Sequence, residues 1–168
     1  DTFGGFPAPA PAGTTYIDQT IAGGNDDNPY AITLLSNGKI VLGGRGNDGL
    51  VGNRAVIACF LPDGTLDGTF GNQAAGVPGT TVVPLIVDNL NGQDQINSLV
   101  VQSDGKIVAG GKASIDGGAG FNGFMAIRFT ANGLLDTTFG GFPAPAPLGT
   151  TYLPYIAGDV NPNDTATS

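Results

Sequence analysis

The sequence predicts an all-β chain made of antiparallel four-stranded units in tandem, and three observations carry that prediction. A nine-residue motif occurs twice, as Ser36-Asn37-Gly38-Lys39-Ile40-Val41-Leu42-Gly43-Gly44 and as Ser103-Asp104-Gly105-Lys106-Ile107-Val108-Ala109-Gly110-Gly111. Asn-Gly or Asp-Gly between apolar runs is the strongest short-range hairpin signal, because a type I′ turn needs φ > 0 at both central residues and these residues tolerate it. Turn formers are dense, with 29 Gly and 12 Pro among 168 residues, and Ser, Thr, Asn and Asp cluster between the apolar runs. That punctuation reads as many short strands. All fourteen acidic residues are Asp. Glu is a good helix former whereas Asp prefers caps and turns, so the composition offers little helix.

The elements follow in order. Residues 1–13 read as the end of a preceding repeat with a Pro-Ala connector, since Phe6-Pro7-Ala8-Pro9-Ala10-Pro11 is too rich in proline for a central strand and should run extended. Its plainer role is a semi-rigid spacer; a ligand for an aromatic-lined groove is the alternative. The first repeat, 14–79, offers strands at 14–21, 30–35, 39–44 and 53–61. The second, 80–149, offers them at 80–87, 96–102, 106–113 and 122–130, and ends in its own Pro-Ala connector. Residues 150–168 then hold the first strand of a following repeat, at 150–156, and a tail. Each unit closes on a second turn and a short tail, Leu66-Asp67-Gly68-Thr69-Phe70-Gly71 or Leu135-Asp136-Thr137-Thr138-Phe139-Gly140. Matching Phe3, Phe70 and Phe139 gives a pitch of roughly 67 to 69 residues, and fixed self-similarity is the mark of a repeat architecture. Four antiparallel strands with short turns make a propeller blade.

The order of these pieces (apolar strand, polar-Asp-Gly-Lys-Ile-Val-x-Gly-Gly, variable loop, strand ending in Phe60 or Phe129, then Gly-x-Leu-Asp-x-x-Phe-Gly) resembles the delta-60 repeat of bacterial secreted and surface proteins. The resemblance spans both copies and the flanking half-repeats. It implies a β-propeller-like fold and an extracellular or bacterial cell-surface setting, and it implies no chemistry.

Charge and residue types narrow the function. A net charge of −8 with only six Lys and Arg excludes the basic clusters that nucleic acid and anionic membranes require. No apolar run approaches the ~18 residues of a membrane span. The chain has no His, so Ser-His-Asp, Cys-His and histidine-metal arrangements are excluded. Asp63, Asp67 and Asp136 could serve as paired acids, but they recur at fixed repeat positions beside Gly and Thr, which marks turn-makers. The lone Cys59 sits in a strand in register with Arg128 of the other copy and reads as a passive strand residue, with a reactive or intermolecular thiol as the alternative. No Trp and four scattered Tyr weaken a sugar-stacking site.

One motif points to a cation. Gly43-Gly44-Arg45-Gly46-Asn47-Asp48-Gly49-Leu50-Val51 fits the calcium nonapeptide, in which Asp and backbone carbonyls supply hard oxygen ligands. Asn47 and Asp48 are its candidate ligands. Such sites need several stacked copies, and the matching loop at 110–122 lacks the pattern, so a Gly/Asn-rich hairpin loop is the simpler reading. Asn25 to Asn28 and Asp88 to Asp94 are other oxygen-rich loops whose default is a solvated turn.

Leu99-Val100-Val101 and Ala55-Val56-Ile57-Ala58 are apolar on both sides, and such strands need both faces covered. An uncovered face of about six apolar side chains forgoes on the order of 10 to 15 kcal/mol, comparable to a domain's net stability. A chain that starts and stops inside a repeat is therefore expected to join further repeats or copies of itself. The left-over strand at 150–156 is expected to be an adhesive edge. The expected protein is non-enzymatic, working in display, adhesion or self-assembly with a protein or glycan ligand and no resident cofactor; the alternatives are a calcium- or glycan-binding propeller module and a fragment of a catalytic propeller.

Overall fold

Four hairpin turns of one design organise the chain. A computed structural model describes residues 3–4, 11–17, 26–47, 52–72, 77–84, 92–114, 122–141 and 146–153. In the first turn the Leu35 amide donates to the Lys39 carbonyl at 2.9 Å, the Gly38 amide donates to the Leu35 carbonyl at 2.9 Å, and Gly38 has φ +81°. That is a three-residue loop with a left-handed Gly, not the two-residue type I′ turn expected. The reason lies in the Asn side chain. The bulge frees the Lys39 amide, which donates instead to Asn37 Oδ1 at 3.2 Å, so the longer loop loses no hydrogen bond. Asp104 does the same for Lys106 at 3.1 Å. The backbone pattern returns at Leu61 to Thr65 and Thr130 to Leu134.

Among the described residues there are nine strands, all short: β1 Asn28–Leu34, β2 Ile40–Asn47, β3 Gly52–Phe60, β4 Thr80–Val82, β5 Gly92–Gln93, β6 Gln95–Val101, β7 Ile107–Ser114, β8 Asn122–Phe129 and β9 Thr150–Leu153. They form two antiparallel sheets, β1-β2-β3-β4 (sheet I) and β6-β7-β8-β9 (sheet II), with β5 added to β3 in parallel. The fold is all-β and propeller-like, as the sequence predicts.

Three details differ from expectation. First, the sheets are cut out of phase with the units 14–79 and 80–149: the Thr-Thr strand of each unit pairs with the sheet of the unit before it. Thus β4 runs along β3 with Val56 opposite Val82 and Ala58 opposite Thr80, and β9 runs along β8 with Met125 opposite Tyr152. The strand expected to be a spare adhesive edge is therefore already hydrogen-bonded, because the tail turn folds the chain back onto the open side of β8. Second, the two ends of each Pro-Ala stretch lie side by side. Gly4 bridges Ala12 and Gly140 bridges Leu148, so each stretch returns to where it left; its middle lies outside the described residues. Third, the expected strand at 14–21 is described only for 14–17, where Thr15 forms a single β-bridge and its Oγ1 donates to the Gly64 carbonyl of sheet I's second turn.

The sheets stack face to face. Cross-strand partners share a side, so the Thr33, Val41, Cys59 row and the Ala31, Gly43, Ile57 row form the front of sheet I. The back of sheet II carries Leu99, Ile107, Ala109, Ile127 and Phe129. Front meets back in one continuous core. The approach is close: a Cβ on Gly43 would lie 2.9 Å from Ile96 Cγ2 and 3.1 Å from Leu99 Cδ1.

Candidate interaction surfaces

The carboxylates that recur in the sequence are built into each sheet as struts. Asp67 accepts hydrogen bonds from the Thr69 amide at 3.1 Å and the Thr69 hydroxyl at 2.6 Å, and pairs with Lys39 Nζ at 2.6 Å. Asp136 repeats this with Thr138 at 3.1 and 2.7 Å, and gathers Lys106 at 3.1 Å and Arg128 at 2.8 Å. The Lys of the first turn in each repeat thus grips the Asp of the tail, which explains why both recur. Burial pushes the Asp67 carboxyl up, but hydrogen bonds from Lys39 and Thr69 more than offset it and leave it below the usual value. The Thr138 hydroxyl, then Lys106, holds Asp136 well below the carboxylate range. The Asp67 hydrogen bond likewise raises Lys39.

The signs give a pH window. A depressed carboxyl contributes stability that is present above its unfolded value of about 4 and fades as pH falls through the folded value. The raised Lys39 contributes below its own unfolded value of about 10.4, and that part fades as pH rises through the folded one. The melting temperature is therefore expected to fall as pH drops below about 4. Asp136→Asn should flatten that decline and lower the neutral-pH melting temperature, read by circular dichroism melts at each pH.

Cys59 faces the core between the sheets and is fully buried. Burial, then the Asp67 charge, pushes its thiol up to about 11, which supports the passive reading over a reactive one. Asn47 ends β2, where its Nδ2 donates to Asn53 Oδ1 at 3.2 Å, and Asn53 Nδ2 donates to Gln93 Oε1 at 3.1 Å. The amide is thereby tied into a ladder joining β2, β3 and β5. Asp48 lies outside the described residues, and no group of three metal-ligating acids or cysteines occurs among the described ones. Asp94, expected in a solvated loop, is buried and accepts the Ser114 amide at 3.0 Å.

The surfaces that sequence reasoning missed involve the recurring Phe. Phe70 crosses from the tail of sheet I to the second turn of sheet II and is buried there; a Cβ on Gly133 would lie 2.3 Å from its Cε1. Beside it the Gly71 amide donates to the Asn132 carbonyl at 2.8 Å, Thr81 Oγ1 donates to the Gly133 carbonyl at 2.6 Å, and Val83 enters the core. The N-terminal residues make the same contacts one sheet earlier. Phe3 Cε2 lies 3.2 Å from a Cβ position on Gly64, the Gly4 amide donates to the Asp63 carbonyl at 2.8 Å, and Thr15 Oγ1 donates to the Gly64 carbonyl at 2.7 Å. Ile17 takes the place of Val83. Phe6 to Pro11 recurring as Phe142 to Pro147 signalled this duplication, but not that it is a knob and latch.

Two broad apolar faces remain. The back of sheet I exposes Ile32 and Leu34 at 67% and 65%, and Ile32 lines a groove of about 370 Å³ together with Phe3, Tyr16, Leu42 and Phe60. The front of sheet II exposes Val100 and Phe124 at 63% and 74%, with Leu153 beside them and Lys112 and Arg128 on the same side. Contiguous exposed apolar surface of this kind marks an interaction site.

Residues 35–70 and 102–139 match a family described as a domain of unknown function (DUF5122) beta-propeller. Each matched segment runs from the first turn of a repeat to its Phe knob. No curated protein matches the chain. The chain is all-β and carries two matched β-propeller-type repeats; the family description carries no activity and is silent on the delta-60 name.

Proposed function

We propose that this protein is a non-enzymatic structural and interaction repeat, acting outside the cell or at a bacterial surface through display, adhesion or self-assembly, with protein or glycan as its ligand class. The observation that carries the reading is the pair of large apolar faces, one at each end of the two-sheet stack. Burying such a face would contribute on the order of 10 kcal/mol, a larger gain than any solvated loop offers. Asp63, Asp67 and Asp136 support it from the other side, since each accepts hydrogen bonds within its own turn and Asp67 and Asp136 are held in ion pairs as well. Sedimentation velocity across a concentration series tests the reading, with a concentration-dependent rise expected. A monodisperse monomer throughout, together with a blank glycan array, would remove it. Calorimetric heat with calcium that is lost on Asp48→Ala would instead favour the cation-binding alternative at Asn47 and Asp48.

A further inference from the structure

Asn is followed by Gly four times in the chain, at Asn37, Asn91, Asn122 and Asn132. Such a pair is chemically labile, because Gly places no side chain in the way of its own amide nitrogen as that atom approaches the preceding carboxamide carbon. Asn91 lies outside the described residues. The other three pairs sit in different settings, and the fold sorts them.

Asn122 opens β8 opposite Ser114, and the buried Gly123 lies opposite Ala113, so attack there requires the end of the ladder to come apart. Asn132 lies in the second turn of sheet II, where its Gly133 is buried under the Phe70 ring. The backbone carbonyl of Asn132 accepts the Gly71 amide at 2.8 Å and that of Gly133 accepts Thr81 Oγ1 at 2.6 Å, which clamps the peptide from both sides. The Leu134 amide donates to Thr130 Oγ1 at 3.2 Å, so it does not serve the Asn132 carboxamide. Asn37 differs on each count. Asn37 and Gly38 are both exposed, and Asn37 Oδ1 accepts the Lys39 amide at 3.2 Å. Negative charge develops on that oxygen as nitrogen adds to Cγ, and an amide already aimed at it stabilises the charge. The Gly amide is held equally in the two turns, by the Leu35 and Thr130 carbonyls at 2.9 Å each, so that bond does not distinguish them.

We propose that Asn37 is a site of selective, spontaneous deamidation. The Gly38 nitrogen gives its proton to water and its lone pair forms a bond to Asn37 Cγ; the carboxamide C–N bond breaks, and ammonia leaves with a proton taken from water. Water then opens the resulting succinimide at either carbonyl, giving Asp or its β-linked isomer isoaspartate, each with one added negative charge. The two products act differently on the fold. Asp is native at the matching position of the second repeat, where Asp104 Oδ1 accepts the Lys106 amide at 3.1 Å, so the turn keeps its form. Isoaspartate inserts a methylene into the main chain directly before Gly38 and displaces Lys39, whose Nζ holds Asp67 at 2.6 Å. Ageing of the first turn thus has one silent outcome and one that loosens the strut between turn and tail.

Peptide mapping by mass spectrometry on the full chain, incubated at mildly alkaline pH, tests this, with each site's rate in urea as its reference. Relative to urea, Asn37 should react at least roughly tenfold faster than Asn122 and Asn132 in the folded chain. Asn37→Ser, which keeps a turn-forming oxygen and lacks the carboxamide, should remove the modified peptide. Asn37 slower than either other site, or unmodified while its urea reference reacts, overturns the proposal. Anion exchange should resolve the modified chains into two pools. The Asp pool is expected to melt with Asn37→Asp and the isoaspartate pool at a lower temperature; equal melting of the two pools overturns the assigned effect on the strut.

Discussion

Gly133→Ala is expected to destabilise the chain by about 4 kcal/mol, measured as a lowered urea midpoint with an unchanged slope. Two costs combine at this residue. Its φ of +78° lies in the left-handed region, where a Cβ costs roughly 1 to 2 kcal/mol. The larger part is steric, since the added carbon would sit 2.3 Å from Phe70 Cε1 and within 2.7 Å of two further ring atoms. The ring cannot yield without leaving the core. Gly105→Ala is the internal comparison: its φ is +82°, and its Cβ would meet only the Ala131 methyl at 3.4 Å. That variant should lose only the conformational part, roughly 1 to 2 kcal/mol. A similar loss for both would show that Phe70 is not held as described.

The repeated hairpin was legible because its signal is local. Ser-Asn-Gly-Lys and Ser-Asp-Gly-Lys specify a reversal whatever surrounds them, and β1-β2 and β6-β7 form where the spacing predicts. The turn type was missed for an equally local reason: an Asx oxygen two residues before the Lys amide favours the bulged loop, and a dipeptide rule ignores that acceptor. The phase of the sheets was not legible. The Thr-Thr strands begin a sequence repeat, but which sheet they join depends on where the tail turn sends the chain, and pairings such as Val56 with Val82 are non-local. The Lys39–Asp67 strut was half visible, as two recurring residues whose partnership only the fold brings together. The recurring Phe served in the sequence only as a ruler for the pitch. Its role needed the neighbouring repeat, since Phe70 finds Gly133 more than sixty positions away.

Phe70→Ala should cost about 4 kcal/mol, and its interaction with Gly133→Ala carries more information than either change alone. Phe70 is 2% exposed and belongs to the core between the sheets, so truncation loses the burial of a ring and leaves a cavity that two paired sheets cannot easily collapse around. With the ring gone, the space a Gly133 methyl needs becomes available. The Gly133→Ala penalty should then shrink to its conformational part, and the double variant should be more stable than the sum of the singles by about 2 to 3 kcal/mol. Additive effects would mean that the knob and its socket do not touch. Coupling of that sign and size would establish the contact from which the equivalence of Phe3, Phe70 and Phe139 is drawn. The same cycle on Phe3 and Gly64 then asks whether the N-terminal knob is seated as deeply. With a ring atom 3.2 Å from the Cβ position in place of 2.3 Å, its coupling should be smaller.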